Sequence, residues 1–209
     1  MTPGKHTISW TCQSNDSRTG GYNSCYLSDI GVQNTPTITP ATTTVEEQLG
    51  TEVLKLVDPV SSVRKIVISG IIGDDDWTTI GLMKGAFSID MSGATATNIP
   101  ASMFTKAKFP FLHSVKLPQG LTSIGESAFS NSDIEGDITF PATLASIGNY
   151  AFYHTKITSA MMQEGITDIG SRAFCYCFYL EQVSWPSTTA VIPSYCFQNG
   201  YRLRTFTIP

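Results

Sequence analysis

Five isoleucines each stand five residues ahead of a phenylalanine: Ile99 and Phe104, Ile124 and Phe129, Ile147 and Phe152, Ile169 and Phe174, Ile192 and Phe197. The steps between successive phenylalanines are 25, 23, 22 and 23. The residue after each isoleucine is a turn former (Pro100, Gly125, Gly148, Gly170, Pro193). The residue before each phenylalanine is mostly small (Met103, Ala128, Ala151, Ala173, Cys196). A unit this short cannot bury its apolar face by itself. Repetition at a near-constant period therefore implies that the units stack and share one continuous core.

A second element follows each phenylalanine. It reads apolar-x-x-apolar-x-apolar and usually ends in proline: Leu112, Val115, Leu117 and Pro118; Ile134, Ile138, Phe140 and Pro141, with one extra residue; Ile157, Ala160 and Met162, followed by Gln163; Leu180, Val183, Trp185 and Pro186; Leu203, Phe206, Ile208 and Pro209. The alternating end of this element has period two, the signature of a short strand with one buried face. Proline then stops it, because it cannot donate to a ladder. Stacking aligns these strands into a parallel sheet.

Composition removes several function classes. Only 14% of the residues are charged, against about 25% in ordinary soluble domains, so the surface relies on Ser, Thr, Asn and Gln. The net charge of −4 and a pI near 5.3 oppose a nucleic-acid or anionic-membrane partner, which would need clustered Lys and Arg. No apolar run approaches the roughly 18 residues of a membrane span, so no membrane insertion is expected. Met1 to Trp10 carries no apolar export segment.

The stretches "LPQGLTSIGESAF", "FPATLASIGNYAF" and "GITDIGSRAF" resemble the BspA-like leucine-rich repeat. The resemblance is clear from Met91 to Pro209. The stretch "VRKIVISGIIGDDDWTTIGLMKGAFSIDMSGATATNIP" is similar to what often precedes such repeats. Gln163 in place of Pro, Pro100 and Pro193 in place of Gly, and a longer loop from Thr105 to Phe111 depart from the pattern and concern local turns. The resemblance implies a β-rich α/β solenoid, with one short parallel strand per repeat of about 23 residues. It also implies a bacterial protein that is secreted or held at the cell surface, some of whose relatives adhere to host proteins or other cells.

Three regions follow. Residues 91–209 hold the repeats. Residues 44–90 read as an N-terminal cap. Thr43-x-x-Glu46 is a capping-box pattern ahead of a helix over Thr44–Leu56. "RKIVISG" is a strand ending near Ile68, and Asp74–Asp76 open a second helical pattern with Trp77, Ile80, Met83 and Phe87 on one side. Residues 1–43 are an extension ending in the Pro/Thr tract "NTPTITPATTT", a stiff extended linker. Residues 1–34 fit a small disulfide-closed loop, a strand pair added to the cap, or partly vector-derived sequence. At the other end no polar element follows Leu203, Phe206 and Ile208. That face is expected to be uncovered, open to continuing sequence or to an end-to-end homodimer.

Catalytic and metal chemistry find little support. Cys12 and Cys25, 13 residues apart, would gain roughly 3 kcal/mol from a bridge of suitable geometry. Cys175-x-Cys177 is half a metal motif with no second half at a familiar spacing. Cys177 stands in the column of Ser132, Thr155 and Gly200, and Cys196 in that of Ala128, Ala151 and Ala173, so small-residue packing explains both. Asp74–Asp76 lack the alternating ligands of a calcium loop and fit helix capping. His113 and His154 have no nucleophile elbow nearby. Trp77 and Trp185 fall on core columns, while Tyr153, Tyr176 and Tyr201 stand near repeat turns, either as contact residues or, more simply, as ordinary half-buried turn aromatics. No cofactor, metal or catalytic residue is expected, and the chain reads as no enzyme.

Alternation places the outward residues of the strands on a concave face. These are Ser114 and Lys116, Asp137 and Thr139, Ser159 and Met161, Gln182 and Ser184, Thr205 and Thr207, flanked by His113, Glu181 and Arg204. Solenoids commonly bind partners on such a face. The expected role is a non-catalytic binding or adhesion module for a protein or glycan. Alternatives are a spacer that presents another domain and an accessory domain of a secreted hydrolase.

Overall fold

The structure, a computed structural model, describes residues 6–8 and 64–208. The helix expected over Thr44–Leu56, the Pro/Thr tract, Trp10 and the Cys12–Cys25 pair lie outside the described residues. The polypeptide winds as a parallel β-solenoid with two ladders.

The long ladder contains β2 (Lys65–Ile71), β3 (Ser88–Thr95), β5 (Ser114–Lys116), β7 (Glu135–Thr139), β9 (Lys156–Met161), β11 (Gln182–Ser184) and β12 (Thr205–Thr207). β2, β3 and β5 pair in parallel, as do β7, β9, β11 and β12. The Glu135 amide donates to the His113 carbonyl at 2.9 Å, which carries the winding from β5 to β7. β1 (His6–Ile8) adds antiparallel to β2, opposing Ile68 to Gly70, so one part of the N-terminal extension does contribute a strand. α1 (Asp74–Ile80) joins β2 to β3. Asp76 accepts the Gly73 amide at 2.7 Å through Oδ2 and closes the helix N-terminus. Trp77 and Ile80 are buried, and Trp77 meets Phe104 edge-on at 6.2 Å. Phe87, expected on the same buried side, is 44% exposed, because the helix ends at Ile80 and no longer directs it.

The inward positions of the long strands are core as expected. Val115, Leu117, Ile138, Phe140, Ala160, Met162, Val183 and Trp185 are all buried. β7 and β9 shift register between Gly136 and Asp137, which face Ile157 and Ser159, so that Thr158 of β9 is passed over. Gly136 adopts φ +80° there, in the left-handed region where side chains are disfavoured.

The second ladder was not legible from alternation. It is built from two-residue strands β4 (Asn98–Ile99), β6 (Ser123–Ile124), β8 (Ser146–Ile147) and β10 (Asp168–Ile169), paired in parallel. Their isoleucines are the first column of the repeat. The glycine after each isoleucine donates back to the isoleucine carbonyl one turn earlier: Gly125 to Ile99 at 2.9 Å, Gly148 to Ile124 at 2.8 Å, Gly170 to Ile147 at 2.7 Å. Adjacent turns then approach so closely that a Cβ on Gly148 would lie 2.6 Å from the Glu126 amide nitrogen, and one on Gly170 still closer to that of Asn149.

Pro193 occupies the same position in the last turn. It has no N–H to donate and carries a ring where no Cβ fits. The ladder ends at β10, and Ile192, expected in the core column, is instead 48% exposed. A further buried column, missed in the repeat pattern, comprises Leu121, Leu144 and Ile166. Thr189 takes its place in the last turn and donates to the Ile166 carbonyl at 2.5 Å.

The phenylalanines form a stack through the centre. Ring centroids are 5.2 Å apart for Phe104–Phe129, 5.0 Å for Phe129–Phe152, 5.3 Å for Phe152–Phe174 and 5.7 Å for Phe174–Phe197, with interplanar angles of 15° or less. The first four rings are fully buried, while Phe197 is half-buried. The longer loop after Phe104 tucks Phe109 into the core, 5.3 Å from Phe104. At the far end, Leu203 and Phe206 are half-buried, with Phe206 6.0 Å from Trp185, and Ile208 is 61% exposed.

This stacking makes core truncations unequal along the axis. Phe152→Ala and Phe174→Ala each remove a ring flanked on both sides, so each should cost about 3–5 kcal/mol. Phe197→Ala should cost clearly less in the same denaturant titration, and equal losses at all three sites would contradict a one-dimensional stack. Gly148→Ala forces backbone apart, because its contact is another turn's amide and not a movable side chain. A loss of about 1–3 kcal/mol is expected, and an unchanged unfolding midpoint would contradict the close approach.

Candidate functional sites: the ladder face and an aromatic edge

Outward side chains of the long ladder lie in two rows set by the strand register. From β7 to β12 one contains Asp137, Ser159, Gln182 and Thr205 and the other Thr139, Met161, Ser184 and Thr207; on β3 and β5, Ser88 pairs with Ser114 and Asp90 with Lys116. Ser114, Lys116, Asp137, Thr139, Met161, Gln182, Arg204, Thr205 and Thr207 are exposed; His113, Glu181 and Ser184 are half-buried. Ser159 departs from the expected exposure. It is only 6% exposed, a short side chain between the longer Asp137 and Gln182 on the adjoining rungs.

Fixed polar contacts tie this face together. Lys116 Nζ lies 2.7 Å from Asp90 Oδ2, and Ser92 donates to Asp90 Oδ1 through its amide and hydroxyl at 3.0 and 2.6 Å. Burial raises the Asp90 pKa, but the bonds from Lys116 and Ser92 outweigh it and hold the carboxyl below its ordinary range. Hydrogen bonds from Ser159 and Thr158 do the same for Asp137, with Thr158 Oγ1 at 2.8 Å. Lys106 and Lys156 both pair with Asp133, Lys156 at 2.9 Å. At the N-terminal end His113 stacks on Phe87 at 5.6 Å, and Phe87 on Phe111 at 5.8 Å.

The turns on either side of each column phenylalanine build a different surface. Non-glycine residues with left-handed φ recur there in two columns. One column is Ser102, Ser127, Tyr150, Arg172 and Tyr195; the other is Asn131, His154, Tyr176 and Asn199. Most donate their amide to the next turn, for example Ser127 to Asn149 at 2.8 Å, His154 to Cys175 at 2.9 Å and Tyr176 to Gln198 at 2.8 Å. The inter-turn bonds offset a backbone cost on the order of 1 kcal/mol per residue.

In the last three turns these positions bring rings together. Tyr150 meets Tyr153 at 5.6 Å, Tyr153 meets Tyr176 at 5.4 Å, Tyr176 meets Phe178 at 5.7 Å, and Phe178 stacks on Tyr201 at 6.1 Å. The Arg172 guanidinium lies over Tyr150 at 5.6 Å and Tyr195 at 4.5 Å, and Arg202 over Tyr179 at 5.0 Å. Arg172 Nη1 donates to the Tyr150 hydroxyl at 2.9 Å. Of the three tyrosines expected near repeat turns, Tyr201 is exposed, whereas Tyr153 and Tyr176 are half-buried. Burial and the adjacent Tyr176 raise the Tyr153 phenol above its ordinary pKa.

The cysteines sit beneath this edge. Cys177 donates to the Phe152 carbonyl at 3.0 Å and lies 3.4 Å from Thr155 Oγ1, in the column the repeat assigns it. In the same column Ser132 Oγ is buried without a hydrogen-bond partner among the described residues. Burial pushes the Cys177 thiol up to about 11 and the Cys196 thiol up to about 12. Among the described residues no group of three or more His, Cys, Asp or Glu is placed to hold a metal ion.

A solenoid of short parallel strands with a leucine-rich-type repeat defines a class of repeat proteins. The model of the BspA type leucine rich repeat region matches residues 97–209 in 6 copies, just over half of the 209 residues. The chain belongs to this family. Among solved structures, a leucine-rich repeat protein from Eubacterium ventriosum is 18% identical with a TM-score of 0.54, covering 69% of this chain and 39% of that one. A leucine-rich repeat protein from Bacteroides ovatus is 23% identical with a TM-score of 0.47, covering 60% of this chain and 38% of that one. The T. pallidum leucine-rich repeat protein is 18% identical with a TM-score of 0.48, covering 68% and 73%. The first of these likenesses supports the fold, and none carries more than fold. The chain spans about two fifths of the length of the E. ventriosum and B. ovatus proteins. No curated protein sequence matches it.

The raised thiol pKa values have a direct chemical consequence, since the thiolate is the reacting species. At pH 8 on the order of one Cys177 thiol in a thousand, and fewer of Cys196, is ionised. In a Cys12→Ser/Cys25→Ser variant, alkylation of Cys177 and Cys196 at pH 8 should be negligible until denaturant unfolds the chain. Rapid labelling of either site in the native protein, read by peptide mass spectrometry, would contradict the packing described.

Proposed function

We propose that this chain is a non-catalytic binding module displayed at a bacterial surface, where it makes protein contacts that serve adhesion. The observation that supports the reading most is the register-locked array of outward side chains on the long ladder, repeated over successive turns of a rigid stack. Repetition gives an extended surface whose residues vary freely while the core columns stay occupied, which is how solenoids generally serve as binding platforms. Family membership supports the surface location. β2 and α1 act in this reading as part of the N-terminal cap, shielding the first core face; residues 44–63 of the expected cap lie outside the described residues.

One observation favours a second reading, a spacer that presents another domain. Beyond the Phe87–His113 stack, the ladder rows carry short polar side chains and a single large apolar one, Met161, which is 39% exposed. They lack the buried aromatic anchors on which tight interfaces usually turn.

A capture experiment separates the two. The chain is immobilised and offered a panel of extracellular-matrix proteins and glycans, with a Lys116→Ala/Asp137→Ala/Gln182→Ala variant beside it. Exposed substitutions of this kind change stability by about 0.5 kcal/mol or less, so the melting temperature should hold. Loss of a captured partner with unchanged melting supports a binding module that uses the ladder face. Capture that survives the triple substitution moves the contact elsewhere on the solenoid, and no capture by either protein favours the spacer.

A further inference from the structure

The turn edge of the last three repeats is richer in chemistry than the fold requires. The left-handed columns accept serine and asparagine at Ser102, Ser127, Asn131 and Asn199 with the same backbone angles. Tyr150, Arg172, Tyr195, His154 and Tyr176 fill those columns with large groups instead, in a conformation that favours small ones. Packing of the core does not call for these side chains, since the phenylalanine stack lies behind them in every turn.

The charge of this edge also stands apart. Residues 148–156, 170–179 and 193–202 contain Lys156, Arg172 and Arg202 and no Asp or Glu, in a chain with 17 carboxylates against 13 cations. The corresponding turn of the preceding repeat, residues 125–133, contains Glu126 and Asp133 and no aromatic residue besides the core Phe129. Lys156 is neutralised by Asp133. Arg172 and Arg202 form no ion pair among the described residues; each guanidinium is held over tyrosine faces.

Arg172 spends one Nη1 bond on the Tyr150 hydroxyl; its other N–H groups and those of Arg202 remain for a carboxylate, and a guanidinium held over rings loses little rotamer freedom on binding one. Tyrosine and arginine together are the composition of binding hot spots. The rings meet largely edge to face, 64° for Tyr153–Tyr176 and 86° for Tyr176–Phe178. They fill one another's faces and do not form a coplanar platform of the sort that stacks sugars.

We propose that this edge is the docking surface for an acidic peptide segment of a partner protein, its carboxylates pairing with Arg172 and Arg202 and its apolar side chains lying on Tyr176 and Tyr201. The proposal rests on the binding-module reading and places the contact on the turn edge instead of the ladder face.

The test is selection of random dodecapeptides displayed on phage against the full chain, followed by fluorescence anisotropy of the enriched peptides. Enrichment of net-acidic peptides is expected. Their affinity should fall about tenfold or more for Arg172→Gln/Arg202→Gln, and weaken as salt rises from about 0.05 M to about 0.3 M. Arg202→Gln and Tyr201→Ser, at exposed positions, are measured separately with melting curves, so that a folding defect at Arg172 does not decide the result. A loss of affinity in these two variants with unchanged melting supports the proposal. Enriched peptides without acidic bias, or affinity unchanged in the arginine variants, overturn it. Loss on Lys116→Ala/Asp137→Ala/Gln182→Ala instead overturns it while leaving the binding-module reading in place. Binding of sulfated oligosaccharides on an array without any peptide enrichment overturns the peptide and puts an anionic glycan in its place. No binding to either probe overturns this proposal and counts against the reading beneath it.

Discussion

The structure depends on how closely one turn of the solenoid can approach the next. Two features set that distance. Phenylalanine rings about 5 Å apart run through the interior, and glycines without a Cβ let the backbone of each turn bond to the one before it. Neither suffices alone. Rings without the glycine contacts would stack but leave the isoleucine ladder unpaired. The glycine contacts without the rings would leave a void along the axis. Together they align every other column, including the inward residues of the long strands.

Where one of these conditions fails, the stack loosens in a local way. Pro193 removes the amide and adds a ring, so the short ladder ends and Ile192 faces solvent. The long ladder continues past that point to β12, because its bonds are made by other residues. The last turn therefore lacks the short ladder but keeps the long one, and its Ser194, Cys196 and Gln198 carbonyls still accept amides from the turn before. Its phenylalanine is the one ring of the column that is half-buried, and Thr189 substitutes for the large apolar residue of the earlier turns.

The two surfaces differ because their residues answer to different constraints. On the ladder face a side chain need only point outward from a strand, and short polar residues suffice. On the turn edge the backbone itself is strained, and only small residues adopt it at low cost. Large aromatic and cationic groups at such positions meet one another across turns, as Arg172 meets Tyr150 and Tyr195. That contrast separates a surface that tolerates solvent from one equipped with hot-spot chemistry.

Much of this was readable from the residues alone. The spacing of Ile and Phe determines the repeat, and the alternation around Val115, Ile138, Ala160 and Val183 determines which side chains enter the core, since period two admits only one inward register. The short ladder was not readable, because two residues are too few to show alternation. Its existence rests on amide bonds between turns. The burial of Ser159 and the exposure of Ile192 were hidden for a similar reason: each depends on the neighbouring turn, an Asp137 on the next rung or a proline that cannot bond. The aromatic edge is the clearest case. Tyr150, Tyr176 and Tyr201 are far apart along the chain and occupy different places in their repeats. Only stacking at the repeat period gathers them through Tyr153 and Phe178, with the Arg172 guanidinium over Tyr150. The sequence by itself determined the period and the core, because those are local and repetitive. Tertiary structure alone decided which irregular residues meet, because contact between turns is set by the distance at which backbone packs on backbone.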